Sequence, residues 1–384
     1  MGSADLVYDG GGERNALQTS KIAKKMGFDV TIFGSGCEYE RNNHIAVNEV
    51  NYVKNAFKFD IFGKKSILRL THSKSTGLIG LFRFRRIYNI VKGYDYYYFQ
   101  NPNFLFRNFS MYARKSSFTH HIILANHGSY FEILGQRNNP AYRLVLRFLN
   151  RLIFKSIDRS ITVQVQNSFQ YDFYRKMGFN NIHLIPQSSV NFDDFRVEES
   201  RGFNVVFLNK LTKNKGSKLL MKILKDSDED IKFHIVGLDT KRYAKKIKKN
   251  NVIFYGQVSE EEKRNILAKS DVMINCSEYE SLSISSIEGL ASGLPIISTR
   301  TSGLVYIRDV MGENVIIIDR NAKDFLTEIN RLRKLKEKDP MEYLMLRKKI
   351  KEKASLYFDV RIIEEAMKSM IGSMKLEREE VLFQ

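Results

Sequence analysis

The sequence predicts an α/β protein built from two doubly wound parallel-sheet domains in tandem, and three observations predict it. In both halves short apolar segments of strand length alternate with longer stretches of helical period. A polar, acidic stretch with no sustained apolar period, 187–202, separates the two series and reads as a linker. The 384 residues suffice for two domains of ordinary size, each with its own core. Apolar content of 43% and charged content of 27% are those of a globular chain.

Taken in order, Leu6–Tyr8 reads as a strand, followed by a glycine run (Gly10, Gly11, Gly12) and a helix over about Glu13–Met26 that Gly27 stops. Phe28–Phe33 alternates as a second strand, giving a βαβ start with a glycine loop at the carboxyl end of its first strand. The glycines lack the GxGxxG spacing, so the loop alone is a weak signal. Tyr96–Phe99, Ile122–Ala125, Ser160–Val165 and Asn181–Ile185 read as further strands, and Arg143–Ile157 as a helix packed on them. Beyond the linker the series runs strand Val205–Leu208, helix Ser217–Lys225, strand Phe233–Val236, helix Lys241–Lys248, strand Val252–Tyr255 and helix Glu260–Ser270. Two charged helices follow later, about Ala322–Lys338 and Met341–Tyr357. The expected domains are 1–186, 203–357, and a segment 358–375 that crosses back to the first. Glu380–Gln384 has the look of a viral 3C-type protease tag site and is set aside.

No apolar run reaches the ~18 residues that span a bilayer, and no secretory signal is visible. Two cysteines, Cys37 and Cys276, cannot staple a chain this long and lack metal-ligand spacing, so a cytoplasmic location is expected. The net charge of +19 is concentrated: residues 51–150 hold 16 Lys/Arg against 3 Asp/Glu and 21 of the 46 Phe and Tyr. Arg83, Arg85 and Arg86 among Leu81, Phe82, Phe84, Ile87, Tyr88 and Val91 fit a basic amphipathic helix. Contact with an anionic membrane, binding of nucleic acid through phosphates, and a solvated basic face over an aromatic core all fit that composition.

The most informative stretch is 275–298. Val272–Asn275 reads as a strand, Ser285–Ser292 as a short helix with Gly293 as its C′ residue, and Ile296–Thr299 as a strand after Pro295. Glu280 lies in the loop before the helix and Glu288 within its first turns. Both are then expected at the carboxyl ends of parallel strands, where open α/β sheets bind ligands. Free N–H groups around Ser283 to Ser285 offer a phosphate seat. Two carboxylates beside such a seat suit a nucleotide diphosphate sugar; the plain reading is a cap and a surface charge.

This block resembles the donor-binding signature of retaining glycosyltransferases with two Rossmann-like domains facing a cleft, the GT-B architecture of family 4. Glu280, Ser281, Leu282 and Ser283 stand for the commoner Glu-Gly-Phe-Gly, and Glu288-Gly289 for Glu-Ala. The resemblance extends to the loop after Leu208, where Asn209 and Lys210 precede Lys215-Gly216. Family members usually have Gly-Arg and then Lys-Gly, so Lys210 replaces an Arg whose planar fork it lacks. It extends also to His127-Gly128, just past a strand end, and to the glycine loop, Gly11 and Gly12. Pro186 to Val190 departs from the usual Pro-Asn-Gly-Val. Asp226-Ser227-Asp228 has DxD spacing but lies in a run of acids away from these motifs, so no metal or other cofactor is expected.

The resemblance implies a hexosyltransferase acting from a nucleotide diphosphate sugar, most often a UDP-sugar in the family, on a hydroxyl of a glycan or lipid-linked acceptor. It implies that Glu288 holds the ribose and that Glu280, Ser281, Leu282, Ser283 and Ile284 hold the sugar. Lys210, Lys215 and Gly216 would meet the diphosphate, His127 the hexose, and Gly11 and Gly12 the donor phosphate and acceptor. A basic aromatic patch near a membrane would suit a lipid-linked acceptor, with nucleic acid not among the expected partners. A nucleotide-sugar epimerase or phosphorylase shares the architecture, and a basic nucleic-acid-binding protein is the alternative from another class.

Overall fold

The structure is a computed structural model and describes residues 19–33, 51–53, 94–100, 104–115, 122–126, 144, 148, 151–155, 157–186, 188 and 190–382. The chain divides into two compact units, Met1–Ile185 with Glu364–Gln384, and Pro186–Ile363. The glycine loop with Gly11 and Gly12, the basic stretch 81–91, and His127 lie outside the described residues.

In the first unit residues 19–25 are helical and Gly27 ends the turn with φ +85°. β1 (Thr31–Phe33) pairs in parallel with β2 (Asn51–Val53). A four-stranded parallel sheet has the order β3 (Tyr97–Gln100), β4 (Ile122–Asn126), β5 (Thr162–Val165), β6 (Ile182–Leu184). β4 and β5 are buried throughout, as strands covered on both faces must be. α1 (Phe104–Lys115) and α2 (Ser168–Lys176) connect the strands. Phe106 and Ala113 of α1 and Tyr174 of α2 pack with Ile122, Leu124, Val163 and Val165. α2 starts where Asn167 accepts from the Gln170 N–H, while the side-chain oxygen of Gln170 accepts from the Gln166 N–H.

The second unit carries six parallel strands: β7 (Phe203–Leu208), β8 (Ile231–Val236), β9 (Val252–Gly256), β10 (Val272–Asn275), β11 (Ile296–Thr299) and β12 (Val315–Ile318). Their order is β12-β11-β10-β7-β8-β9. The chain leaves β7 toward β8 on one side and returns as β10 on the other, so β7 and β10 flank the switch point. Six helices alternate with the strands or follow them: α3 (Ser217–Asp226), α4 (Glu260–Ala268), α5 (Ile284–Ala291), α6 (Ser302–Met311), α7 (Ala322–Lys338) and α8 (Pro340–Phe358). α9 (Val360–Leu382) closes the chain and passes into the first unit from Glu364.

Period-two alternation on β7 makes the sheet doubly wound. Val205 and Phe207 meet Leu220, Ile223 and Leu224 of α3 and Phe325 and Ile329 of α7. Val206 faces the opposite layer, with Ile287 and Leu290 of α5, Leu304 and Ile307 of α6, and Ile350 and Phe358 of α8. Arg347 of α8 is 1% exposed and donates to the carbonyls of Glu198, Ala268 and Ser292. Its charge lies at the carboxyl end of α5, where a cation favours the helix dipole.

Two expectations are corrected. The stretch 187–202 is no free linker: Val190, Phe192 and Phe195 are buried in the second unit's core, and Asp359 accepts from the Phe192 N–H. Lys241–Lys248 is not an α-helix: the chain makes a 3-10 turn over Thr240–Lys246, from which Tyr243, with Ile247 just beyond, packs on the core. α6 and β12 were not foreseen.

Candidate functional site

The carboxyl ends of β7 and β10 lie side by side, and the loops leaving them carry the polar residues of interest. From β7 the chain runs Asn209, Lys210, a turn over Lys213–Lys215, and Gly216 with φ +79°. A Cβ on Gly216 would lie 2.0 Å from the Cys276 carbonyl oxygen. Only glycine lets this loop rest directly on the end of β10. Cys276 itself is packing: its thiol is fully buried and burial pushes it up to about 12.

That approach brings Lys215 to Glu280, Nζ to Oε1 at 2.6 Å, although 65 positions separate them. The same oxygen accepts from Ser277 Oγ at 2.9 Å and Asn209 Nδ2 at 3.3 Å. The Glu280 carbonyl accepts from the Gly303 N–H at 2.8 Å and Ser302 Oγ at 3.1 Å, at the start of α6. A Cβ on Gly303 would stand 2.7 Å from the Ser281 backbone, so the close contact between α6 and this loop also needs glycine. Glu280 is 8% exposed, which makes it a held carboxylate and not a surface charge.

α5 opens under a serine cluster. Ser283 caps it by accepting from the Ser286 N–H, and Asn275 of β10 donates to both serine hydroxyls at 3.0 and 3.1 Å. Among the described residues nothing accepts from the N–H groups of Ile284 and Ser285, which are those an anion would use. The helix ends in a Schellman pattern, with the Leu294 N–H on the Gly289 carbonyl, the Gly293 N–H on the Leu290 carbonyl, and Gly293 at φ +71°. The departure from Glu-Ala at Glu288-Gly289 has a local reason. A Cβ on Gly289 would meet Met273 Sδ at 2.8 Å, so Met273 occupies the space a methyl would take.

Glu288 is 7% exposed, and its Oε1 lies 2.6 Å from Nζ of Lys263, a buried lysine in the first turn of α4. Lys263 also reaches Glu260 at 2.7 Å. Lys210 turns the other way, with Nζ 3.8 Å from Asp239, which pairs with Arg242 as well. Lys215, Gly216, Glu280 and Ser283 thus meet at the carboxyl ends of β7 and β10, Ser281, Leu282 and Ile284 belong to the same loop and helix start, and Glu288 sits on α5 against Lys263, whereas Lys210 extends toward the loop after β8. Asp226 ends α3 and Asp228 accepts from Asn251 and Asn330, remote from these groups in the topology. The sequence reading missed Asn209, Ser277, Lys263, Ser302 and Gly303. Only the Thr301-Ser302-Gly303 helix start carried a signal, a capping threonine directly after a strand.

Residues 191–355 match the family model for Glycosyl transferases group 1. A human phosphatidylinositol N-acetylglucosaminyltransferase subunit is 28% identical over 135 residues, covering 33% of this chain and 27% of that protein. The chain spans 28% and 27% of the lengths of the curated relatives it matches. Sucrose-phosphate synthase of Thermosynechococcus elongatus superposes with a TM-score of 0.69 at 16% identity, over 96% of this chain and 94% of the other. HepE of Anabaena, solved with UDP and glucose, gives 0.63 at 14% identity over 97% and 98%. These likenesses establish the fold, two parallel-sheet α/β domains of the GT-B glycosyltransferase type.

Proposed function

We propose that the chain is a retaining hexosyltransferase that moves a hexose from a UDP-sugar to a hydroxyl of a glycan or lipid-linked glycan. The observation that carries this is the Lys215–Glu280 contact at 2.6 Å, set beside the open N–H groups of α5 at the switch point. A carboxylate there accepts sugar hydroxyls, while an ammonium and helix N–H groups stabilise charge growing on a leaving diphosphate. The group 1 match and the UDP held by Anabaena HepE support the same donor class. Glu288 takes the ribose hydroxyls, Lys210 assists at the diphosphate, and no metal is called on. His127 at the hexose and Gly11 and Gly12 at the donor phosphate complete the reading, on the resemblance alone. Retention follows from that resemblance too, with leaving-group oxygen assisting deprotonation of the acceptor.

The acceptor side is proposed to meet an anionic membrane surface at its cytoplasmic face. Leu144, Phe148 and Leu152, spaced by four, are 69%, 61% and 38% exposed, and Arg151 and Lys155 beside them are exposed as well. Among the described residues no helix is long and apolar enough to cross a membrane. The test is UDP release from UDP-hexoses with and without acceptor glycans. Glu280→Gln is expected to lose about 100-fold in kcat/KM while staying folded. Conversion of the donor sugar without acceptor would make the chain an epimerase. Salt-sensitive nucleic-acid binding untouched by Glu280→Gln and Glu288→Gln would overturn the reading. Failure to float with anionic liposomes at low salt would remove the membrane contact.

A further inference from the structure

We infer that Asn209 is a positioning residue that fixes Glu280 for the transferred sugar, and so sets the preference for a sugar-bearing nucleotide over the bare one. The inference deepens the donor reading above and rests on it.

The three side-chain bonds that Glu280 accepts all fall on Oε1: Lys215 Nζ at 2.6 Å, Ser277 Oγ at 2.9 Å and Asn209 Nδ2 at 3.3 Å. No described residue donates to Oε2, which is therefore the oxygen left for a ligand hydroxyl. Three donors on one oxygen set the rotation of the carboxylate as well as its position. Asn209 can act this way because its own amide has one orientation. Its Oδ1 accepts from the Lys210 N–H at 3.0 Å, which turns Nδ2 toward Glu280. Its backbone is equally fixed: the Asn209 N–H donates to the Val236 carbonyl, and a Cβ on Gly237 would stand 2.3 Å from the Asn209 carbonyl oxygen.

The arrangement has a purpose that Lys215 alone cannot serve. Once a diphosphate draws on the Lys215 ammonium, Ser277 and Asn209 are what keep Oε1 in place. A carboxylate held by one edge presents the other to a hydroxyl of one orientation, the kind of site that rejects ligands lacking that group.

Calorimetric titration of the whole chain with UDP, UDP-glucose, UDP-galactose and UDP-N-acetylglucosamine tests this, comparing wild type with Asn209→Ala and Asn209→Asp. In Asn209→Ala the tightest UDP-sugar is expected to bind about 10-fold more weakly, with UDP itself unchanged within about two-fold. Asn209→Asp keeps the shape but sets a second carboxylate against Glu280, and is expected to lose more. An unchanged ratio of UDP-sugar to UDP affinity in Asn209→Ala, or an equal fall for both, overturns the inference and leaves the donor reading intact. Wild type that binds none of the four overturns both.

Discussion

Gly216→Ala separates a site held together by close backbone approach from one assembled by charge alone. The substitution imposes two costs. An L-residue at φ +79° is disfavoured by about 1–2 kcal/mol. The added methyl would also lie 2.0 Å from the Cys276 carbonyl oxygen and 2.5 Å from Cys276 Cβ. An ordinary contact is near ~3.5 Å, so the loop must retreat by roughly 1.5 Å. Lys215 is the preceding residue, and its ammonium is 2.6 Å from Glu280, so a retreat of that size breaks the contact. Misplacement by about 1 Å costs on the order of 100-fold in rate.

The assay is kcat/KM for UDP release from a UDP-sugar substrate, read alongside urea unfolding of the same samples. Gly178→Ala is the control. Gly178 has φ +84° but nothing within 4 Å of where a methyl would stand, so it incurs the strain without the displacement. It should lose about 1–2 kcal/mol and keep full turnover. Gly216→Ala should lose at least that stability and about 100-fold in kcat/KM. If the two variants behave alike, the close seating of the loop on β10 does not position Lys215.

Two further outcomes follow from buried charges. Lys263→Met deprives Glu288 of a cation 2.6 Å away where both side chains are under 10% exposed, and should cost about 3–5 kcal/mol in urea unfolding. Lys263→Met with Glu288→Leu should recover most of that loss; a single variant as stable as wild type would refute the pairing. At Asp359, burial pushes the carboxyl up, but hydrogen bonds from Arg361 and the Phe192 N–H outweigh it and hold the group below the ordinary carboxylate range. A depressed folded value stabilises above the unfolded pKa, and that contribution disappears as pH falls below about 4. Asp359→Asn should lose about 2 kcal/mol at pH 7, and its gap to wild type should narrow progressively as pH falls below about 4, as urea midpoints across that range will reveal.

How much was legible follows the periodicities. β10, β11 and α7 fall on the residues the sequence marks, because a buried strand or a long amphipathic helix between glycine, proline and capping signals leaves little room for another register. α6 was written in the same signs, Thr301 as its cap, Leu304, Ile307 and Met311 at helical spacing, Gly312 as its stop, and went unread. The misread 187–202 segment has its apolar residues, Val190, Phe192 and Phe195, at irregular intervals, so it packs without any period to detect. For the site, the sequence supplied the carboxylates and the lysine but not their pairing. Glu280 meets Lys215 across 65 positions and Glu288 meets Lys263 across 25, and strand order alone brings them together. Asn209 and Ser277 are ordinary polar residues until the sheet sets them against the same oxygen.

The grip of Arg347 has a consequence for synthesis. It ties the ends of three earlier segments, at Glu198, Ala268 and Ser292, from a helix that the ribosome makes 55 residues after the last of them. A nascent chain that has just emitted α6 owns every group described around Glu280 and Glu288, yet α5 still lacks the clamp at its trailing end. Competence to bind therefore arrives late, with α8, and shortening the chain ahead of residue 347 would abolish it without removing a single ligand-facing group.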